Sequence, residues 1–214
     1  VRGGNVDQNL VLLDGVPLFN TSHLFGFFTG FNADMVQDLS LYKGGIPSMY
    51  GGRASSVLDV RVKEGNFDTW GIQGGVGPIS SRLLVDGPLV KDKTSLILGA
   101  RGSISYFYLG YFPNPALKKS KADFYDVNFK LTHKLNENQR ISLSGYISHD
   151  GFKFASDTLY SWQTQSLSFK HNALWGNLSH NFTAFVSDYQ YGIEGMKKGL
   201  EFDWKPSIKQ QSVR

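Results

Sequence analysis

Cysteine is missing altogether from the 214 residues. This excludes a disulfide framework and thiolate-bound zinc, but it leaves the compartment open. No run of about 18 apolar residues occurs, so no segment qualifies as a membrane-crossing helix. Metal-ligand spacing is also missing. His23, His133, His149, His171 and His180 stand singly, with no HExxH pair, and each reads as a strand-face residue rather than a ligand. No carboxylate lies beside a candidate base or nucleophile in a motif. The chain is therefore not read as an enzyme, and no metal or cofactor is expected. Gly71–Gly77 (GIQGGVG) has the look of a nucleotide loop. Strand alternation follows it and no helix does, so the helix N-terminus that would hold a phosphate is absent. Concentrated positive charge is scarce as well. The net charge of +4 comes from scattered bases, apart from Lys118-Lys119-Ser120-Lys121, so nucleic acid is not an expected partner.

Glycine and aromatic rings are plentiful, with 24 Gly, 16 Phe and 10 Tyr, which favours many short strands joined by turns. A mean hydropathy of −0.24 is compatible with a membrane location, because a β-barrel wall turns only alternate residues to lipid. Residues 1–66 read as a small, glycine-rich, mixed α/β unit. Val1-Arg2-Gly3-Gly4 reads as the middle of a domain. Leu10–Leu13 is an apolar strand ended by the Asp14-Gly15 turn, with Pro17 behind it. Phe25, Phe27, Phe28 and Phe31 are read as unit core, or else as an exposed binding surface. Asn32 or Asp34 is placed to cap a short helix through Met35–Leu39. Ser40–Tyr42 and Val57–Val62 are strand candidates, separated by the Gly-rich stretch from Gly44 to Arg53.

From Trp70 onward the period is two. Tyr125, Val127, Phe129, Leu131 and Leu135 share one face, and Asp126, Asn128, Lys130, Thr132 and Lys134 the other. Similar alternation marks strands at residues 70–76, 81–87, 95–106, 141–148, 166–175, 178–186 and 200–205. Connections alternate in length. Residues 89–94, 136–139 and 176–177 are short, whereas 110–123 and 151–160 are long. Short turns at one end and long loops at the other are the habit of outer-membrane barrels. Trp70, Tyr106, Tyr108, Tyr125, Trp162, Trp175, Tyr189, Tyr191 and Trp204 lie near strand ends and suit an interfacial girdle. A soluble antiparallel sandwich also alternates, so alternation alone leaves both architectures open.

The N-terminal unit and its junction resemble the C-terminal part of the plug of TonB-dependent outer-membrane receptors, in the variant common in Bacteroidetes-like bacteria. Arg2-Gly3 is similar to the family's RG motif. Leu10–Pro17 is similar to its strand and Asp-Gly turn. Leu41–Arg53, with Gly44, Tyr50, Gly51 and Arg53, is similar to its Gly-Pro and Tyr-Gly stretch, and Ser55–Val60 to the strand behind it. The resemblance is strong over residues 1–66 and looser beyond.

The resemblance implies a mainly β fold: a partial transmembrane antiparallel barrel, about 7–8 strands of an expected 22 or so, preceded by a plug portion. It implies domains 1–66 (plug) and 67–214 (barrel strands), with Arg2, Gly3, Asp14, Gly15, Gly44, Tyr50, Gly51 and Arg53 as structural plug-motif residues. Eight strands alone close a barrel too narrow for a plug, so the chain reads as part of a longer receptor. The implied activity is energised uptake of a siderophore, glycan or peptide. An inner-membrane energy-coupling protein would pull on an N-terminal segment that this sequence does not include. Outer-membrane lipid and a surface lipoprotein are the other implied partners. The alternative role is a structural or interaction subunit of an outer-membrane assembly, and a soluble β-rich binding domain stands behind both. Arg2, Arg53 and Arg61 are candidates for ion pairs to wall carboxylates. The Lys118–Lys121 run falls in an outer loop, as a solvated segment or as a contact for lipopolysaccharide phosphates or anionic substrate.

Overall fold

The structure is a computed structural model that describes residues 5, 8–53, 55–103, 111, 113–114, 118, 120–153, 158–197 and 200–214. Arg2, Gly3, Lys119 and the strand extension through Ile104, Tyr106 and Tyr108 lie outside them.

The N-terminal unit is built on β1 (Asn9–Leu13), β2 (Val16–Pro17), β5 (Val36–Tyr42) and β6 (Ser56–Val62), in the order β2-β1-β6-β5. A second, two-stranded piece pairs β3 (Ser22–His23) with β4 (Phe28–Thr29). The β1–β2 hairpin turns on two residues, Asp14 and Gly15, with φ of 49° and 82°. Positive φ at both positions matches the right-handed twist of the flanking strands, and Asp-Gly is the pair that tolerates it best. β1 then runs parallel to β6, with Leu13 opposite Val60, so the apolar runs of both strands meet.

A helix over Met35–Leu39 does not form. Asn32 does cap, its Oδ1 accepting the Asp34 N–H at 3.0 Å, but the turn it starts is a 3-10 segment, Ala33–Met35. Val36 already belongs to β5, whose Leu39 and Leu41 lie opposite Val60 and Leu58. A sheet ladder satisfies this backbone, whereas one isolated helical turn costs its nucleation entropy for few bonds.

The second unit is one antiparallel sheet. Its strands are β7 (Gly71–Val76), β8 (Ser80–Val90), β9 (Thr94–Ser103), β10 (Lys121–Asn136), β11 (Gln139–Lys153), β12 (Leu159–Trp175), β13 (Leu178–Lys197), β14 (Leu200–Trp204) and β15 (Ser207–Val213). They pair in sequence order, and β14 and β15 both pair with β13. The register runs unbroken from Ile193 opposite Trp204 to Gln190 opposite Ser207, so β14 and β15 are one lane interrupted at Lys205-Pro206. Pro206 has no N–H to give, and its carbonyl still accepts from Tyr191 at 3.1 Å. The segment Ser207–Val213 is a strand that the sequence pattern did not reveal.

The two faces of this sheet are buried in the reverse of the order water imposes. Asp126, Thr132, Ser148 and Thr164 are fully or almost fully buried, while Val186 is 53% and Leu167 43% exposed. The polar face is covered by the N-terminal unit, and the apolar face is bare. Tyr125, Val127, Phe129, Leu131 and Leu135 run down that bare face. At about 3.3 Å per residue and a tilt near 40°, they make a band roughly 25 Å tall. Such a surface is stable facing hydrocarbon and unstable facing water.

The belt around the band differs in part from the expectation. Trp175, Tyr125 and Trp70 lie on the bare face, Trp70 resting over Gly87. His171, His180 and Trp175 gather there at 5.4–5.5 Å, and Tyr125 stacks on His149. Trp162, Tyr189, Tyr191 and Trp204 sit on the covered face instead. Trp162 is opposite Asp150 and Tyr191, and Tyr189 stacks on Phe19 of the N-terminal unit at 5.6 Å.

The core lies between the two units. Leu13, Phe31, Met35 and Val60 from the first pack with Leu84, Ile97 and Tyr146 from the sheet. Each large side chain buried there contributes on the order of 1.5–3 kcal/mol. Met35 is keyed into the sheet at Gly99, where a Cβ would occupy the space of its sulfur.

Candidate functional site

The contact between the two units carries the buried charge of this molecule. The tight β1–β2 turn pushes Asp14 against the sheet. Its Oδ2 lies 3.0 Å from Lys130 Nζ of β10, and its Oδ1 lies 3.6 Å from Lys170 Nζ of β12. Ser144 of β11 donates to Oδ2 at 2.9 Å, and the Val62 N–H donates to Oδ1 at 3.2 Å. Lys130 also donates to the Val62 carbonyl at 2.8 Å, and Arg214 donates to the Gly15 carbonyl. Burial alone would raise the Asp14 pKa. The two ammonium groups and the hydrogen bonds outweigh it and hold this carboxyl below its ordinary value.

A second cluster has the opposite polarity. His23, fully buried, places Nδ1 2.8 Å from Asp150 Oδ2 and Nε2 3.4 Å from Asp126 Oδ2. Its ring stacks on Phe124 at 4.7 Å. Asn20 and the Leu24 N–H also donate to Asp150. Arg101 holds Asp126 at 2.7 Å and donates to the Thr29 carbonyl. Tyr146 donates to the Gly30 carbonyl. Burial would lower the His23 pKa, but the two carboxylates prevail and raise it, so the ring carries its second proton more readily than a free histidine.

Two further pairs complete the seam. Asp34 meets Arg82 at 2.9 Å, and both Glu64 oxygens meet Arg140 at 2.8 Å. Between the units runs a gap of about 930 Å³, lined by Asp14, Tyr50, Lys130, Arg140, Lys170 and Arg214 among others.

Of the residues singled out in the sequence, Asp14 and Gly15 meet the sheet. Tyr50 lines the same gap and donates to Asp59 at 2.9 Å. Burial and that carboxylate push its phenol upward. Gly44, Gly51 and Arg53 are exposed on the β5–β6 loop. Arg53 and Arg61 do not reach sheet carboxylates. Arg61 stands 3.9 Å from Asp59 of its own strand. The expected polarity is reversed: every Lys or Arg ion pair that crosses the seam, among the described residues, puts the acid on the N-terminal unit and the base on the sheet. His23, read as a strand-face residue of the sheet, instead belongs to the first unit and is its one described base opposite sheet acids. Phe31 is core, Phe28 packs on Phe124, and Phe27 is exposed.

Residues 1–57 match the family model described as the TonB-dependent Receptor Plug Domain. This part of the N-terminal unit is similar to a TonB-dependent receptor plug. Solved receptors share the whole arrangement of plug and wall. The siderophore receptor PirA from Acinetobacter baumannii aligns with a TM-score of 0.68 at 17% identity, over 100% of this chain and 37% of its own. The copper transporter OprC aligns with a TM-score of 0.70 at 10% identity, over 100% and 35%. A mutant of the ferric enterobactin receptor PfeA from Pseudomonas aeruginosa aligns with a TM-score of 0.64 at 14% identity, over 100% and 38%. The chain thus spans just over a third of the length of these receptors. No curated protein sequence matches it. The sheet aligns with a stretch of the barrel fold in these receptors.

Proposed function

We propose that the receptor containing this chain imports a nutrient of the siderophore, glycan or peptide class across the outer membrane of a Gram-negative bacterium. The energy comes from an inner-membrane coupling protein that pulls on an N-terminal segment of the receptor. In this reading residues 1–66 are plug and 67–214 are barrel wall, surrounded by outer-membrane lipid. A surface lipoprotein is a natural further partner for the long-loop end. Asp14 and Gly15 form the docking turn of the plug. Gly44, Tyr50, Gly51 and Arg53 shape its remaining turns, and Arg2 and Gly3 are the matching residues of the family's RG motif.

The observation that supports this reading is the inverted burial of the wall: polar residues covered by the plug, apolar residues bare. A plug held by charged and hydrogen-bonded contacts can leave a wet lumen, because each pair regains water as it parts. The experiment is made on the full-length receptor in cells. Removing its coupling segment should abolish growth on the imported nutrient while heat-dependent gel mobility stays unchanged. Undiminished uptake without that segment would refute energised import and leave a scaffold role.

A further inference from the structure

The seam between plug and wall has a charge asymmetry. Asp14, Asp34 and Glu64 of the plug neutralise Lys130, Lys170, Arg82 and Arg140 of the wall. Two more cations of that face lean on uncharged groups, one in the plug and one just past its end. Arg214 donates to the Gly15 carbonyl, and Lys134 lies 3.8 Å from the Phe67 ring centre. The register confirms that these bases share one face. Lys134 is opposite Arg140, Lys170 is opposite Ser142, and Arg82 is opposite Arg101. Among the described residues the acids of that face are fewer. Asp126 stays paired with Arg101, Asp150 lies toward the long-loop end, and Asp86 accepts the Asn66 N–H at 3.1 Å.

Resting on the reading of this chain as plug and wall, we propose that withdrawal of the plug turns the luminal face of β10–β12 and β15 into a basic track, and that the imported cargo is of net negative charge with oxyanion groups. Bases freed from Asp14 and Glu64 face the lumen within a few residues of one another, toward the short-turn end. There the next charged group to arrive is the cargo itself. A one-signed lining with low-dielectric walls concentrates ions of the other sign. The same acids of the plug that hold it shut also mask this lining until the plug moves, so the resting lumen does not collect anions.

The test uses the full-length receptor in a planar bilayer between unequal KCl solutions, with urea added until the plug unfolds and current appears. Gel mobility with and without heating reports that the barrel stays folded. The reversal potential reports the chloride-to-potassium permeability ratio. In K130Q/K170Q/R140Q this ratio should fall at least about threefold against wild type. K130R/K170R/R140K should keep the wild-type ratio. If the triple glutamine receptor loses its heat-dependent mobility, K170Q, at the more exposed of the two lysines, is measured in its place with the same expected direction. An unchanged ratio in a folded glutamine variant overturns the basic track and leaves the plug-and-wall reading standing. Absence of any urea-dependent current overturns that reading as well.

Discussion

Asp14→Asn is the most informative single substitution. Asparagine keeps the shape and tolerates the positive φ of 49°, and its one carbonyl oxygen can still accept from either Ser144 or the Val62 N–H, the amide nitrogen taking the other oxygen's place. What it removes is the charge between two lysines. At an effective dielectric near 20, pairs at 3.0 and 3.6 Å are each worth about 5 kcal/mol before desolvation. Most of that is offset by the cost of burying the charges. The net penalty comes from Lys130, which is left buried and unmatched, and such broken pairs cost about 3–5 kcal/mol. The partial exposure of Lys170 puts the expected loss at the lower end, about 3 kcal/mol. That corresponds to roughly a hundredfold rise in local opening of the docking turn, since about 1.4 kcal/mol is tenfold. Hydrogen exchange of the Leu10–Leu18 amides in the full-length receptor reads this directly. Asp14→Asn with Lys130→Met, which keeps the turn conformation and removes the buried unmatched ammonium, should recover most of the protection. Exchange within about threefold of wild type in Asp14→Asn would refute the claim that this ion cluster holds the plug.

Other substitutions probe the remaining parts. Gly15→Val places a β-branched residue at φ 82° and a Cβ 3.0 Å from the Arg214 guanidinium, so the plug should lose about 1–3 kcal/mol in urea unfolding followed by plug fluorescence. Phe169→Arg on the bare face should cost about 2–4 kcal/mol in vesicle-embedded receptor; no loss would mean that this face does not meet lipid. His23 gives a pH dependence. Its pKa is raised in the folded state, so its stabilisation is complete below the unfolded value of about 6.5 and is lost as pH climbs through the folded one. Plug protection factors, corrected for intrinsic base-catalysed exchange, should therefore fall from neutral toward alkaline pH in wild type, and His23→Gln should flatten the profile. Asp14 acts at the other end of the scale. Its depressed pKa makes its contribution present above about 3.9 and lost as pH falls through the folded value.

The sheet was legible in the sequence because an apolar face and a polar face force a period of two, which residues 125–135, 141–148, 166–175 and 178–186 of β10 to β13 obey. The Asp14-Gly15 turn was legible because few residue pairs accept its backbone. The Met35–Leu39 helix was misread because a capping asparagine looks the same before one 3-10 turn as before a helix, and only the partner strand β6 decides. Ser207–Val213 was missed because Lys209, Gln210 and Gln211 blur the alternation and Pro206 reads as a break. The ion clusters were invisible for a different reason. Asp14 and Lys130 are far apart in the chain, and nothing local tells a luminal lysine with a partner from a solvated one. Charged residues on the polar side of long strands, such as Asp126 and Lys130, were the available hint.

The arrangement of acids on one body and bases on the other also bears on how the receptor is assembled. A plug seated out of register along the strands, or turned about the pore axis, would part Asp14 from Lys130 and Lys170. Such a mismatch leaves buried charges without partners, which costs several kcal/mol. The contacts that hold the stopper in place therefore also favour one angle of entry, as an electrostatic compass would.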